Sequence, residues 1–320
     1  MSTVIRTIDG DIDPDTADVT YCHEHVVLDS PTIALKFPHI LLDDPQAAVT
    51  ELSECAVIGV STIVDAMPMS AGRDIMSLAH VSRTSGIQVV CATGLHHDRY
   101  YGPQHWTNHA DPDELADLFV ADIVEGIDRF DYTGPVVQRT SHKAGILKVA
   151  TSGPVLDDRD RRNLTAIARA HGLTGAPIMT HCEEGEGGVE QVRALGELGV
   201  PADRIILSHV DKNATVERID ELLETGAYLE FDQSLRQPAS VDAPSIPLIA
   251  HVVAAGGADR LVLGTDGARK SLWRVHGGER GLAWLYAGYS QLLDDAGIDE
   301  HTREGFFIRN PHRALVMESP

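Results

Sequence analysis

The chain alternates, eight times over, between a short β-rich run and a segment long enough for a helix. The runs are VTYCHEHVVL from Val19, STIVDAM from Ser61, IQVVCATG from Ile87, GILKVATS from Gly145, APIMTHC from Ala176, RIILSHV from Arg204, AYLEFDQ from Ala227 and RLVLGTDG from Arg260. Several stay apolar through consecutive positions, which suits parallel strands covered on both faces better than an antiparallel sheet with one wet face. The segments between them carry helix chemistry. Asp44-Pro45 opens one that stops at Gly59, Asp111-Pro112 opens another, and a stripe of Val216, Ile219, Leu222 and Leu223 ends at Gly226. Strand and helix repeating in this way predict an α/β fold closed as a (β/α)8 TIM barrel. An open doubly wound sheet is second: no GxGxxG follows the first run, no GxxxxGK[ST] occurs, and the glycines near Gly185 and Gly277 read as turns. No linker, repeat or low-complexity tract divides the chain. Residues 1–320 are expected to form one domain, with a short β lead-in over 1–18, helices after Ser290 and a last helix beginning near Asn310-Pro311.

Chemistry-bearing residues gather at one end of the runs. His23 and His25, two apart, share one side of the first run, with Glu24 on the other. Lys148 lies near the end of GILKVA, His181 ends PIMTH, His209 ends IILSH and Asp266 ends LVLGTD. In a barrel these ends converge on the mouth, where active sites form. Taken singly, each has a plainer explanation: a histidine in an apolar run is more often a satisfied core residue, and a lysine can snorkel or pair with a carboxylate. Four histidines, a lysine and an aspartate at the same end of five strands outweigh it. Imidazoles and a carboxylate suit Zn2+, Mn2+, Co2+ or Fe2+, and the lack of a cysteine among them disfavours a purely structural zinc site. An ammonium cannot bind a cation. Lys148 joins such a set only as a modified neutral amine, most simply as the CO2 adduct, whose two carbamate oxygens could bridge two ions; burial and neighbouring cations lower an amine pKa and favour that reaction.

These residues stand in HEH at His23 to His25, GILKVAT around Lys148, TGAPIMTH running to His181, ILSHVDKN around His209 and GTDGARKSLW around Asp266, with NPHRAL following from Asn310. In that order, from Val19 to Leu315, the sequence resembles the phosphotriesterase family of the amidohydrolase superfamily, and most of all its lactonase-like members that act on phosphorylated sugars. The resemblance implies a metal-dependent hydrolase with two divalent ions, zinc first. His23, His25 and Asp266 would hold the more buried ion, His181 and His209 the more exposed one, and N6-carboxylated Lys148 and a hydroxide would bridge them. Asp266 would also carry the catalytic proton. The family spans triester hydrolases, acyl-homoserine and simple sugar lactonases, and lactonases for phosphorylated sugar lactones. Arg269 and Lys270 beyond the eighth run and Arg236 beyond the seventh favour the last, because phosphate sites of barrels favour the loops after strands 7 and 8. His96 stands where acyl-homoserine lactonases tend to carry a tyrosine, and Asp232-Gln233 where they tend to carry Asp-Arg. His96 and Trp273 are candidate substrate-binding residues, with Tyr100, Tyr101 and Trp106 as further aromatic neighbours. The alternatives are a lactonase for unphosphorylated or acyl lactones with side activity on phosphotriesters, a metal-dependent amidohydrolase, and a noncatalytic barrel or phosphosugar isomerase.

Charge and cysteine usage narrow the partners. Lys plus Arg number 26 against 48 Asp plus Glu, a formal net charge of -22. Such a surface repels nucleic-acid phosphates and anionic lipid, so a cluster of basic residues at a mouth calls for a small anionic ligand. Cys22, Cys55, Cys91 and Cys182 form no CxxC pair and are expected to be small buried hydrophobes in a reducing cytoplasm. The start has no basic segment followed by an apolar one, and no apolar run reaches the length of a membrane span. The expected protein is cytoplasmic and acts on a small lactone or ester without nucleic acid or membrane, with a homodimer left open.

Overall fold

The structure, a computed structural model, describes residues 3–318. Two lead-in strands, β1 (Thr3–Thr7) and β2 (Gly10–Ile12), pair antiparallel as a hairpin. Eight further strands follow: β3 (Val19–Glu24), β4 (Val60–Asp65), β5 (Gln88–Leu95), β6 (Ile146–Ala150), β7 (Ile178–His181), β8 (Ile205–Ser208), β9 (Tyr228–Phe231) and β10 (Leu261–Leu263). They lie in sequence order in one sheet with parallel neighbours throughout. The ring closes where the chain leaves β10: the Thr265 and Asp266 amides both donate to the His23 carbonyl, at 3.1 and 3.0 Å. This is the expected (β/α)8 barrel, with one strand in each of the eight runs.

Helices α1 (Pro31–Lys36), α2 (Pro45–Val57), α3 (Ile75–Ser85), α4 (Pro112–Val124), α5 (Asp158–Thr174), α6 (Gly188–Glu197), α7 (Val216–Glu224) and α8 (Ser245–Ala254) fill the crossovers. Their starts follow the sequence chemistry. The Asp44 carboxylate accepts from the amides of Gln46 and Ala47, and Asp111 forms a reciprocal capping box with Glu114. After Ser290 come α9 (Ser290–Asp295), α10 (Glu300–Glu304) and α11 (Asn310–Leu315), the last starting at the expected Asn310. A closing strand, β11 (Met317–Glu318), pairs with β1 and has no counterpart in the sequence reading, because two residues carry no periodicity.

Period-two alternation places the site. Ile146, Met179, Ile206 and Tyr228 pack together in the barrel interior. Two residues further along β6, β7, β8 and β9, and so on the same face, stand Lys148, His181, Ser208 and Glu230. An apolar layer thus seals the barrel directly beneath a polar one. The first strand is irregular, its register against β4 shifting between Tyr21 and Glu24, where the two histidines begin. All four cysteines are free and buried.

Closure leaves no room for a side chain at Gly264, where a Cβ would lie 2.8 Å from both the backbone nitrogen and the Cβ of His23. Gly264→Ala is therefore expected to destabilise the barrel by about 1–3 kcal/mol. Urea unfolding checks this, and a wild-type midpoint would contradict it.

Candidate metal centre

The six residues expected to form a metal centre converge at the mouth. The ligand atoms of His23, His25 and Asp266 all lie within 4.8 Å of one another, and His25 Nε2 is 3.5 Å from Asp266 Oδ1. The His181 and His209 rings meet edge to face at 4.5 Å, with His181 Nδ1 and His209 Nε2 turned toward each other at 2.9 Å. The His23 ring bridges the two groups, 5.4 Å from His25 and 4.9 Å from His209. Lys148 Nζ is buried beside them and donates to Ser208 Oγ at 3.5 Å.

Local backbone and neighbours hold these side chains. His209 (φ 65°) and Asp266 (φ 45°) both sit in the left-handed region, which costs a non-glycine residue about 1–3 kcal/mol and persists where the surroundings enforce it. The Asp232 carboxylate enforces it at His209, accepting from its amide at 3.0 Å. At Asp266 the closing bond to His23 does so. The Glu230 carboxylate lies 3.0 Å from His23 Nδ1, and Glu24, turned the other way as expected, accepts from the amide and hydroxyl of Thr265.

Electrostatics prepare the set for a cation. Burial holds His23, His96 and His181 well below the usual imidazole range and brings His25 to about 4, so these rings are neutral at pH 7. Burial also pushes Lys148 down to about 8, against the pull of Glu230, Asp232 and Asp266. Burial alone would raise Asp266, but Arg236 and the histidines His209 and His25 hold it below the usual carboxylate range. His25 Nδ1 and Glu230 Oε1 are buried without a hydrogen-bond partner among the described residues. Neutral imidazoles beside an ionised carboxylate are a donor set suited to divalent ions.

Above the ligand set opens a cavity of about 460 Å3. Its wall changes character around the ring. The loops after β3, β4 and β5 contribute the apolar Leu28, Phe37, Ile40, Met67 and Tyr100 together with His39 and Arg99, the loop after β7 contributes Glu183 and Glu184, and those after β8, β9 and β10 contribute Lys212, Arg236 and Arg269. Arg236 donates to the Thr265 carbonyl at 2.8 Å and reaches Asp266 Oδ2 at 3.1 Å. The side chains of Lys212 and Arg269 have no ion pair among the described residues. His96 also lines the cavity, its ring 5.2 Å from His181.

Two of the residues expected to bind substrate stand elsewhere. Lys270 pairs with Asp43 at 2.6 Å and is not part of the lining. Trp273 is 1% exposed, and its indole donates to the Gly267 carbonyl at 2.8 Å, bracing the loop after β10 from beneath. Tyr101 is likewise a brace, its hydroxyl bonded to the Met69 carbonyl and the His96 amide. The sequence reading did not single out Arg99, Glu183, Lys212 or Glu230. Lys212 and Arg99 do lie three residues beyond the strand-end histidines His209 and His96, in stretches already marked by those histidines. Phe37 and Ile40 sit in a long excursion between β3 and α2 that carries no such signal.

The sequence model of the phosphotriesterase family matches residues 3–315. The chain belongs to the phosphotriesterase family. A protein of Mycoplasmopsis synoviae named phospho-furanose lactonase is 30% identical, the match covering 98% of this chain and 92% of that protein. Among solved structures, an amidohydrolase from Mycoplasma synoviae superposes with a TM-score of 0.92 at 29% identity, covering 99% of this chain and 93% of that one. A lactonase from Listeria monocytogenes superposes with a TM-score of 0.90 at 27% identity, covering 99% of this chain and all of that one. Members of this family depend on two metal ions, and this chain presents His and Asp groups able to hold them.

Proposed function

We propose that this family member is a metal-dependent lactonase whose substrate is the γ- or δ-lactone of a sugar acid bearing a terminal phosphate. The observation that carries the reading is a buried histidine set at the floor of a cavity whose rim bears Lys212 and Arg269, cations with no ion pair among the described residues, in a chain of net charge -22. The relatives named as lactonases support the reaction class, and the word phospho-furanose supports the substrate class. His23, His25 and Asp266 would hold one ion and His181 and His209 the other, with Lys148, carboxylated by CO2, shared between them. Zn2+ is the first expectation for both. Ions at these positions supply Lewis acidity toward the lactone carbonyl and lower the pKa of an attacking water.

The protein's own groups divide the remaining work. Arg236 keeps the Asp266 carboxylate ionised and oriented, so that Asp266 can take the proton released as water adds to the carbonyl carbon. As the ring C–O bond breaks, the same carboxyl group returns that proton to the alkoxide and regenerates the carboxylate. Arg269 and Lys212 receive the phosphate several bonds away, Arg269 through its planar fork and Lys212 as a compact charge. Leu28, Phe37 and Ile40 cover the opposite side and exclude water from the scissile ester.

The test compares one lactone with and without its phosphate. Arg269→Ala is expected to lose more than about tenfold in kcat/KM on the phosphorylated lactone, since a charge-assisted contact is worth about 1.5–3 kcal/mol, and to change little on the unphosphorylated analogue. Equal losses on both substrates would contradict the assignment of Arg269 to the phosphate. Lys270→Ala, with its ammonium engaged by Asp43, is expected to behave as wild type on both.

A further inference from the structure

Glu183 lies two residues beyond His181, in the turn after β7. Its Oε2 is 2.7 Å from His181 Nε2 and 3.2 Å from His97 Nε2. Arg99, from the loop after β5, donates to both carboxylate oxygens, at 3.1 and 2.9 Å. The His181 ring and the Arg99 guanidinium therefore hold one carboxylate, with the His97 ring 3.2 Å from it. The other nitrogen of the same imidazole, His181 Nδ1, is the one turned toward His209 Nε2 at 2.9 Å.

A neutral imidazole carries one proton, and an ionised carboxylate only accepts. Glu183 therefore draws the proton to Nε2 and leaves the Nδ1 lone pair facing the site. Gln191 donates to the His181 carbonyl at 3.1 Å and so holds the main chain, which leaves Glu183 as the hydrogen-bond partner of the ring's Nε2. We propose that Glu183 is a positioning residue that fixes the tautomer and ring plane of His181, with Arg99 and His97 as its clamp, and so sets how tightly the outer of the two ions is held. This rests on the metal-centre reading above. A third cation between His97, His181 and Glu183 is the competing use of the same atoms, but it would have to displace the bidentate Arg99 guanidinium. Outer partners of this kind, which orient a ligating histidine through its second nitrogen, typically govern metal affinity by about 10–100-fold.

Two readouts test the clamp. In metal-free protein, 15N chemical shifts of the histidine rings are expected to show His181 protonated at Nε2, and the Glu183→Ala variant to show a mixture of tautomers. In Zn2+ competition against a chromogenic chelator, Glu183→Ala is expected to weaken one of the two ions by about 10–100-fold and leave the other unchanged. Glu183→Gln, which keeps an acceptor oxygen, should recover part of that loss. Arg99→Ala, on an exposed loop, should weaken the same ion by a smaller factor and covers the case in which the Ala variant fails to fold. Wild-type affinity for both ions in Glu183→Ala, or a His181 ring protonated at Nδ1 in the wild type, would overturn the proposal. A wild type that takes up no ion at all would contradict the metal-centre reading, and the tautomer measurement would still decide the clamp.

Discussion

Lys148→Ala is expected to leave a folded barrel that no longer retains two ions per chain and has lost most of its hydrolytic activity. The side chain is fully buried at the level of the histidines, so its removal takes nothing from the apolar layer formed by Ile146 and its neighbours beneath. It does remove the group that faces Glu230, Asp232 and Asp266 together. As an ammonium, Lys148 would repel ions beside His23 and His181; as a carbamate, it would offer them a shared pair of oxygens. Burial favours the neutral amine from which the second state forms. With its pKa at about 8, roughly a tenth of the amine is neutral at pH 7, far more than for a lysine in water. At fixed dissolved CO2, loading should accordingly slow about tenfold for each pH unit below 8 and level off above it. Elemental analysis after loading with Zn2+ and bicarbonate reads the stoichiometry. Two firmly held ions in Lys148→Ala would contradict the bridging role, whereas partial rescue of activity by a short carboxylic acid would support it.

Asp266→Asn is the second large effect. The amide keeps the shape and one oxygen donor but cannot take a proton. A positioned acid–base group typically contributes about 10²–10⁴-fold, so kcat should fall within that range while KM changes little. Arg236 gives this prediction a companion. It holds Asp266 through Oδ2 and fixes the strained turn through the Thr265 carbonyl. Arg236→Ala should therefore lower kcat on phosphorylated and unphosphorylated lactones alike, unlike Arg269→Ala. Asp266→Asn protein carrying two ions and turning over lactone at the wild-type rate would remove Asp266 from proton transfer.

Strand positions were legible because parallel barrel strands are buried on both faces and so read as continuous apolar runs, and the starts of α2 and α4 because Asp44 and Asp111 cap them through side-chain chemistry local to the sequence. The convergence of the six candidate ligands was legible for a related reason: a polar side chain at the end of an apolar run has a mouth to point into. Direction beyond the strand was not legible. Arg269 and Lys270 are adjacent, yet the first lines the cavity and the second turns to Asp43, a partner 227 residues away. Trp273 shares a loop with them, yet its ring turns beneath that loop because the indole finds the Gly267 carbonyl there. Glu183 was hidden differently. Its role depends on Arg99 and His97 arriving from the loop after β5, a convergence that exists only once the ring closes.

The central claim is that the ion-binding floor and the cationic rim serve one substrate, a lactone carrying a phosphate. The most direct measurement is hydrolysis of a sugar γ-lactone with and without a terminal phosphate, followed by acid release, using protein loaded with two equivalents of Zn2+ and the same protein stripped by a chelator. Efficient turnover of the phosphorylated lactone, a kcat/KM lower by more than about tenfold on the unphosphorylated one, and loss of both activities on stripping are the predicted results. Equal efficiencies on the two lactones, or hydrolysis that survives removal of the metal, would contradict it.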